Sequence, residues 1–417
     1  MQRPFVIFSY RIHIGRRYTA DMTTALPTSK PMRIPFDSMT LRAVFAEMRL
    51  RLIGAKIQDI RQPVPTELIL GIRSHGQNYL LLLSCDAQFA RLHLTSRKPK
   101  NAGTPPSFCM AVRKHLEGGI LRDIHQHGFD RVAELEIESV TSEGERTTVT
   151  LIAELMGKHS NLILVDSKGM IIDAAKRINA RINRFREILP SIPYHLPPEQ
   201  KDRLDPFAPN ALDYLINEME PSPTTDWTEV AARLMSLYAG MSPFLAREIA
   251  VRANHREIDH PAASDALEWA WDSIIGAAAI HAYRPTRIDS NDGASGAYPF
   301  ESVQVPQDHQ SHADDLNAAL DTEFAVVIER SNITALAYDL RIEIVRNLKR
   351  LAKQVESTSR SLAEAARAEH HKQTGELIIA NLWRTRDGEA DLTVQAWVWC
   401  CDERRIRQWQ RSTRARW

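Results

Sequence analysis

The sequence has few cysteines, no long apolar run and almost no net charge. Its four cysteines, Cys85, Cys109, Cys400 and Cys401, show no C-x-x-C pair and no disulfide framework, which fits a reducing cytoplasm. No apolar run approaches the roughly 20 residues that a membrane-spanning helix needs, so no membrane partner is expected. Lys and Arg total 53 against 52 Asp and Glu, so any nucleic-acid surface must be local, and DNA is not an expected partner.

The stretch ELMGKHSNLILVD, from Glu154 to Asp166, is where a phosphate loop or a metal site would be sought. A P-loop requires G-x-x-x-x-G-K-[ST] before a helix, but here Lys158 is followed by His159 and then by a strand-like run. A zinc site requires several ligands at set spacing, and His159 has no close partner. The local pattern predicts a hairpin turn, with no metal and no cofactor. The chain also lacks G-x-S-x-G and H-E-x-x-H, which excludes those catalytic classes.

Length and composition indicate several globular domains. At 417 residues, with 43% hydrophobic and 25% charged residues, the chain is expected to form about two to four domains. Residues 1–31 are interpreted as a disordered or misassigned extension. In residues 32–190, a helical pattern capped by Asp37 or Ser38 is followed by strand-like runs, a second helix and more strands. This order predicts a mixed α+β domain with an antiparallel, meander-like sheet.

The rest of the chain is predicted to be mainly helical. Residues 191–312 are expected to form a helical domain with a helix-hairpin-helix-like turn at Gly240 and a loop-rich part over 284–312. Residues 313–372 are predicted to form a long coiled-coil helix, because apolar residues there alternate at spacings of four and three. The seam consists of Ile344, Leu348, Leu351, Val355, Thr358, Leu362 and Ala365.

The stretch HQHGFDRVAEL places Asp130 and Arg131 where a turn opens a strand. One interpretation is a solvated surface pair, which contributes little to stability. The other is a recognition point, in which Arg131 binds a phosphate or a base edge through its two-pronged guanidinium and Asp130 orients it.

Seven stretches of the sequence together resemble one protein family, the NFACT proteins, whose bacterial members were first named fibronectin-binding protein A. The stretches are PFDSMTLRAV, PSFCMAVRKHLEGG, QHGFDRV, ELMGKHSNLILVD, PYHLPP, GMSPFLAREI and GELIIANLW. The resemblance implies an N-terminal domain similar to that of the formamidopyrimidine-DNA glycosylases, followed by a helix-hairpin-helix. Those enzymes attack with an N-terminal proline followed by glutamate, whereas Pro35 is internal here and precedes Phe36, so glycosylase activity is not expected.

The resemblance implies ribosome-associated quality control as the function. Such proteins bind a large ribosomal subunit that still carries peptidyl-tRNA, and they recruit alanyl-tRNA for template-free C-terminal alanine tailing, which marks the nascent chain for degradation. The ribosome makes the peptide bond, so the chain is expected to be a tRNA-recruiting factor and not an enzyme. The expected partners are the large ribosomal subunit, tRNA (alanine tRNA in particular) and the peptidyl-tRNA of the nascent chain.

The resemblance also assigns site residues. The Asp-Arg motif that the family needs for tRNA engagement matches Asp130 and Arg131. A second motif, an acid, an apolar residue and Met before a glycine, matches Glu154-Leu155-Met156, although Leu155 and Met156 can also be read as core residues. The loop is expected to face tRNA or the ribosome through Glu154, Leu155, Met156, Lys158, His159 and Asn161. Where the family usually has arginine after the glycine, Lys158 keeps the charge and loses the planar fork.

Eight further basic residues are candidates for phosphate contacts, with a solvated surface role as the alternative for each. They are Arg97, Lys98, Lys100, Lys176, Arg177, Arg181, Arg184 and Arg186.

The C-terminal part departs from the family. Residues 373–396 resemble the start of its middle segment, but residues 397–417 form an atypical tail that holds four of the chain's eight tryptophans. We interpret the change as a frameshift, with a genuine alternative ending as the other interpretation. Because the coiled-coil helix then has no partner in this chain, ribosome binding is expected to be impaired. The alternative functions are a fibronectin-binding surface adhesin and an inactive truncated fragment.

Overall fold

The structure is a computed structural model that describes residues 34–98, 103–140, 143–198, 202–219, 221, 225–256, 262–289 and 295–384. They fall into two compact units, of which the first ends at Arg330 and the second begins at Ser331. Within these ranges, no helix combines the length and the apolar character that crossing a membrane requires.

A nine-stranded antiparallel sheet is the largest element of the first unit. Its strands are β1 (Lys56–Val64), β2 (Glu67–Ser74), β3 (Gln77–Ser84), β4 (Arg91–Thr95), β5 (Ile120–Gln126), β6 (Val132–Val140), β7 (Arg146–Glu154), β8 (Asn161–Val165) and β9 (Ile171–Ala174). They lie in the order β4-β3-β2-β1-β5-β6-β7-β8-β9. Strands that are consecutive in sequence are paired in the sheet, except that β5 pairs with β1 and not with β4. The predicted antiparallel sheet is confirmed.

Two helices complete the main core, α1 (Ser38–Leu52) and α2 (Ser107–Leu116). Helix α1 begins where predicted, because the Asp37 side chain accepts a hydrogen bond from the Thr40 amide at 3.0 Å and so caps the first turn. The apolar side chains of both helices pack with the inward-facing side chains of the strands into one hydrophobic core.

A set of shorter helices follows the sheet, as the sequence predicts. They are α3 (Ala211–Met219), α4 (Trp227–Leu237), α5 (Pro243–Arg256), α6 (Ala263–Trp271) and α7 (Ala277–Ala279), with a π-helical turn at Asp272–Gly276. Their buried side chains form a second core, which also includes Met39 and Phe129 from the sheet domain. The helices are therefore packed directly against the domain that precedes them.

Residues 284–312, which the sequence predicts to be loop-rich, also contain short strands. A second antiparallel sheet lies there, with the order β11-β10-β12 and strands β10 (Thr286–Asp289), β11 (Ser295–Tyr298) and β12 (Gln310–His312). Strands of three or four residues are too short to produce a recognisable alternation in sequence, so only their pairing defines them. The side chain of Tyr298 is fully buried in the second core.

Helix α8 (Leu316–Ala380) begins inside the first unit. Leu320 and Phe324 lie in the main core. The Asp321 carboxylate accepts a hydrogen bond from the Thr95 hydroxyl at 2.6 Å, which joins the helix to β4 at the edge of the large sheet.

The second unit contains the remainder of α8. The apolar side chains of the predicted heptad seam are largely exposed there, for example Leu348 at 60% and Leu362 at 72%. An apolar stripe of this kind is typical of a helix that packs against a second helix.

A buried histidine beside Phe324 makes the stability of the first unit sensitive to pH. His93 is 1% exposed, and its ring stacks on that of Phe324 with centroids 6.0 Å apart. Arg91 Nε donates to His93 Nε2 at 3.2 Å, so the proton of the neutral ring is on Nδ1, which lies 2.8 Å from the Leu94 carbonyl oxygen. Burial, followed by the charge of Arg91, lowers the pKa of His93 from 6.5 to about 4.

We expect the free energy of unfolding to fall as the pH decreases from 6.5 to about 4. In this window His93 becomes protonated in the unfolded chain but stays neutral in the folded chain. The free energy of unfolding therefore decreases by on the order of 3 kcal/mol in total. Urea unfolding at several pH values measures this dependence. A His93→Gln variant should show a flatter profile, whereas replacing the exposed His159 in the same way should leave the wild-type slope. Equal slopes for all three proteins would contradict the assignment.

Candidate nucleic-acid interface

The turn between β5 and β6 carries Asp130 and Arg131, and both side chains are half-buried. The Asp130 amide donates to the His127 carbonyl oxygen at 3.1 Å, and the Arg131 amide donates to Asp130 Oδ1 at 2.7 Å. Gln126 Nε2 donates to the carbonyl oxygens of Asp130 and Ser38, which ties the turn to the start of α1. The backbone of the turn is therefore fixed, while the Arg131 side chain has no acidic partner at ion-pair distance among the described residues.

The turn between α4 and α5 supports this arrangement from the other side. A Cβ atom placed on Gly240 would lie 1.5 Å from the carbonyl oxygen of Phe129, so only glycine permits the two turns to come this close. The φ angle of Gly240, +67°, is in the left-handed region that favours glycine. The Phe129 ring is buried and packs edge-on against Phe207, with centroids 5.1 Å apart. Gly240, singled out as a helix-turn residue, thus also positions the Asp130-Arg131 turn.

The loop between β7 and β8 contains the second set of predicted site residues. The two strands form the predicted hairpin, with Glu154 opposite Asn161, and a short 3₁₀ helix spans Gly157–His159 within the turn. Lys158 and His159 are exposed, and Met156 is half-buried. Three of the predicted residues are buried, namely Glu154, Leu155 and Asn161. Leu155 is part of the main core, so its interpretation as a core residue agrees with the structure. The surface that this loop offers consists mainly of Lys158, His159 and the backbone.

The buried carboxylate of Glu154 is held by an ion pair with Arg186. Arg186 Nη1 lies 2.8 Å from Oε1 and Nη2 lies 2.5 Å from Oε2, and the Tyr194 hydroxyl donates to Oε1 at 2.9 Å. Burial acts to lower the pKa of Arg186, but the hydrogen bond and the charge of Glu154 outweigh it and the pKa is raised. Burial and then the Glu154 charge raise the pKa of Tyr194. Glu154 therefore joins the β7–β8 loop to the segment that carries Arg186 and Tyr194.

The two predicted motifs lie side by side. Val132, which follows Arg131, pairs with Glu154 in the sheet, and the Leu155 amide donates to the Arg131 carbonyl oxygen at 2.9 Å. The turn with Asp130 and Arg131 and the loop with Lys158 and His159 are therefore at the same end of neighbouring strands. This juxtaposition gives the surface the combination of basic and imidazole groups that contacts phosphates and bases in RNA-binding proteins.

The other basic candidates separate into structural and exposed residues. Lys176 Nζ donates to the carbonyl oxygens of Cys85 and Ser160 at 2.6 and 2.8 Å, so its charge is used inside the fold. Arg177 pairs with Asp173. Four further candidates are also exposed, namely Arg97, Lys98, Arg181 and Arg184, and Lys100 lies outside the described residues. No cluster of three potential metal ligands occurs in the described part of the chain.

Sequence reasoning did not find the residues that position the site. Gln126, Tyr194 and the structural role of Arg186 carry no local signal, because their partners are distant in sequence. The sequence predicts a turn at Gly240, but nothing near it in the sequence indicates the contact with Phe129.

Replacing Arg186 with alanine is expected to lower the free energy of unfolding by about 3–5 kcal/mol, because it leaves a buried carboxylate without its counter-ion. A Glu154→Gln/Arg186→Met double variant should recover most of this loss, since it removes both charges and keeps an acceptor for Tyr194. Arg346→Ala, which removes an exposed ion pair with Glu343, should cost less than about 1 kcal/mol. Urea unfolding measures all three, and equal losses in the single and double variants would refute the account.

Proteins with sequences similar to this chain have names that refer to ribosome quality control. The Rqc2 homolog RqcH of Bacillus subtilis (strain 168) is 30% identical over 361 residues, which cover 86% of this chain and 61% of that protein. The Rqc2 homolog RqcH of Streptococcus suis (strain 05ZYH33) is 31% identical over 362 residues, which cover 86% of this chain and 60% of that protein. The ribosome quality control complex subunit NEMF of Homo sapiens is 29% identical over 143 residues, which are 34% of this chain and 12% of NEMF. The chain thus spans about three fifths of the length of the bacterial relatives.

Two solved structures share the fold. The N-terminal part of the fibronectin/fibrinogen-binding protein from Streptococcus suis covers 69% of this chain and 98% of its own length, with a TM-score of 0.57 and 32% identity. The fibrinogen binding protein from Staphylococcus aureus covers 68% of this chain and 97% of its own, with a TM-score of 0.57 and 30% identity. Residues 37–406 match the family described as NFACT N-terminal and middle domains, so the resemblance seen in the sequence is confirmed and the chain belongs to the NFACT family.

Proposed function

We propose that this chain acts in ribosome-associated quality control. It binds the large ribosomal subunit that carries peptidyl-tRNA and recruits alanyl-tRNA for template-free C-terminal alanine tailing of the nascent chain. The names of the relatives, Rqc2 homolog RqcH and ribosome quality control complex subunit NEMF, support this proposal. The activity takes place in the cytoplasm, where the stalled subunits are.

The observation that carries the proposal is the rigid pair of loops at one end of the large sheet. The Asp130-Arg131 turn is fixed by Gln126 and Gly240, and the Arg131 guanidinium is left without an acidic partner among the described residues. Because the backbone beneath it is fixed, the Arg131 side chain can bind a phosphate or a guanine edge without the loop having to be ordered first. Lys158 and His159 extend the same surface, and the buried residues Glu154, Leu155 and Asn161 hold their loop in place.

The chain does not need a catalytic group for this function. Its task is to bind and orient tRNA, while the ribosome forms the peptide bond. The chain is therefore a recruiting factor rather than an enzyme.

The finer features of the fold are also proposals. We assign residues 32–190 to the NFACT N-terminal domain, residues 191–312 to a helix-hairpin-helix-like domain and residues 313–372 to a coiled-coil helix. The glycine turn at Gly240 between α4 and α5 supports the second assignment, and the exposed apolar stripe on α8 supports the third. The likeness of the first domain to the formamidopyrimidine-DNA glycosylases rests on the family resemblance.

A second candidate function is the binding of fibronectin or fibrinogen. The observation in its favour is that the two similar solved proteins have names that refer to it. Binding of the purified chain to immobilised fibronectin, with unchanged affinity in an Asp130→Ala/Arg131→Ala variant, would favour this candidate.

The proposed function predicts that tagged chain recovered from bacterial cells is enriched in alanine tRNA and large-subunit RNA. An Asp130→Ala/Arg131→Ala variant should lose about tenfold or more of the tRNA enrichment, because it removes charge-assisted contacts that each contribute about 1.5–3 kcal/mol. Sequencing of the bound RNA measures the change.

The chain offers a matched control, because Asp202 and Arg203 form the same dipeptide at another position of the chain, where Asp202 is exposed and Arg203 is half-buried. An Asp202→Ala/Arg203→Ala variant should retain the bound tRNA. Loss of tRNA in both double variants would show that the site is misassigned, and the absence of both RNA species from the wild-type sample would exclude the proposed function.

A further inference from the structure

A hairpin next to the proposed interface exposes an aromatic side chain among arginines. Residues 178–188 form this basic hairpin, whose ends are joined by hydrogen bonds between Ile178 and Ile188 in both directions. Phe185 at its tip is 90% exposed and Ile182 is 70% exposed. Single exposed apolar residues are common, but an exposed apolar patch with a polar or charged rim is typical of an interaction site.

The tip of the basic hairpin is held in shape by its own polar groups. The Asn183 side chain accepts a hydrogen bond from the Phe185 amide at 2.9 Å, and Asn179 Oδ1 accepts one from the Arg181 amide at 3.1 Å. Glu187 Oε1 accepts a hydrogen bond from the Ala180 amide at 2.8 Å. The exposed Phe185 ring is thus presented on a built turn.

Residues 181–187 contain three arginines and one acid, Glu187, so the charge around Phe185 is net positive. Arg181 and Arg184 are exposed, and neither has an acidic partner at ion-pair distance among the described residues. Arg186, by contrast, is used in the ion pair with Glu154. A cationic rim around an aromatic ring is the arrangement by which proteins bind single-stranded nucleic acid, because bases stack on the ring and guanidinium groups meet the phosphates.

A groove lies beside Phe185, which forms part of its lining. Its cavity volume is about 310 Å³, and the lining also includes the apolar residues Ile192, Pro193, Leu196 and Pro198 and the polar residues Arg186, Glu187 and His195. A space of this size is at the lower end of small-molecule sites, and it accommodates one nucleoside. The mainly apolar lining favours the flat face of a base over a phosphate or a charged peptide side chain.

We propose that Phe185 and this groove bind an unpaired RNA base, with Arg181 and Arg184 on the flanking phosphates. The inference rests on the proposed function, because it makes the basic hairpin a second RNA contact beside the Asp130-Arg131 turn. The two are physically connected, since Arg186 of the hairpin binds Glu154, which pairs with Val132 next to Arg131. The RNA element recognised is a single-stranded loop or end.

The test measures the affinity of the full chain for two probes by fluorescence anisotropy. One is an oligouridine of about 12 nucleotides, and the other is an abasic strand of the same length and charge. The wild-type chain should bind the oligouridine more tightly than the abasic strand. Phe185→Ala should weaken oligouridine binding about five- to a hundredfold, the range expected for the loss of one aromatic stack, and should leave abasic binding unchanged.

Further variants separate stacking from general effects. Phe185→Trp should preserve the preference for bases, and Phe185→Leu should lose it, because leucine is apolar but has no π face. Tyr214→Ala is the matched control, since Tyr214 is an aromatic residue that is 53% exposed beside the acidic Asp213. It should leave both affinities unchanged. Thermal unfolding confirms that each variant is folded.

The inference is overturned if Phe185→Ala binds oligouridine as tightly as the wild type, or if the wild type does not distinguish the two probes. The inference is also overturned if polyglutamate displaces the labelled oligouridine as well as unlabelled oligouridine does, because this would show that the chain recognises negative charge alone. These results are independent of the proposed function. A chain that fails to enrich alanine tRNA in cells can still show the Phe185-dependent preference for oligouridine. Equally, a chain that enriches alanine tRNA can lack this preference.

Discussion

The arrangement of the first unit depends on the buried carboxylate of Asp37. It accepts hydrogen bonds from the Thr40 amide and hydroxyl at the start of α1, from the Ser242 hydroxyl before α5 at 2.6 Å and from the Tyr298 hydroxyl in β11 at 3.1 Å. Burial raises the pKa of Asp37, and these hydrogen bonds act to lower it. One side chain thus brings the start of α1, the turn before α5 and the small sheet to a common point. A buried carboxyl group is tolerated there because each neighbouring element supplies a donor.

The position of the candidate site follows from this junction. Ser242 lies two residues after Gly240, so the hydrogen bond to Asp37 also locates the glycine that contacts Phe129. The turn with Asp130 and Arg131 is therefore positioned by packing on both sides. A site that carries only a few charged groups can be selective when the backbone beneath them is rigid, because little entropy is lost when RNA binds.

Local patterns predicted much of the fold because each has a local physical cause. The start of α1 follows from the Asp37 cap, and the strands of the large sheet follow from short apolar runs between turn residues. Local patterns did not predict which charged side chains are buried and paired within the fold. Glu154 is buried because Arg186 and Tyr194, 32 and 40 residues later, enclose it, and Lys176 binds a carbonyl oxygen 91 residues earlier.

The sequence by itself determined the order of the strands of the large sheet and of the helices around it, the membership of the NFACT family and the turn that carries Asp130 and Arg131. Only the tertiary structure decided which charges are available to a partner. Arg181 and Arg184 are exposed, whereas Arg186, in the same hairpin, is used internally. The physical reason is that burying a charge requires a counter-charge and hydrogen bonds, and these come from segments that meet only when the chain has folded.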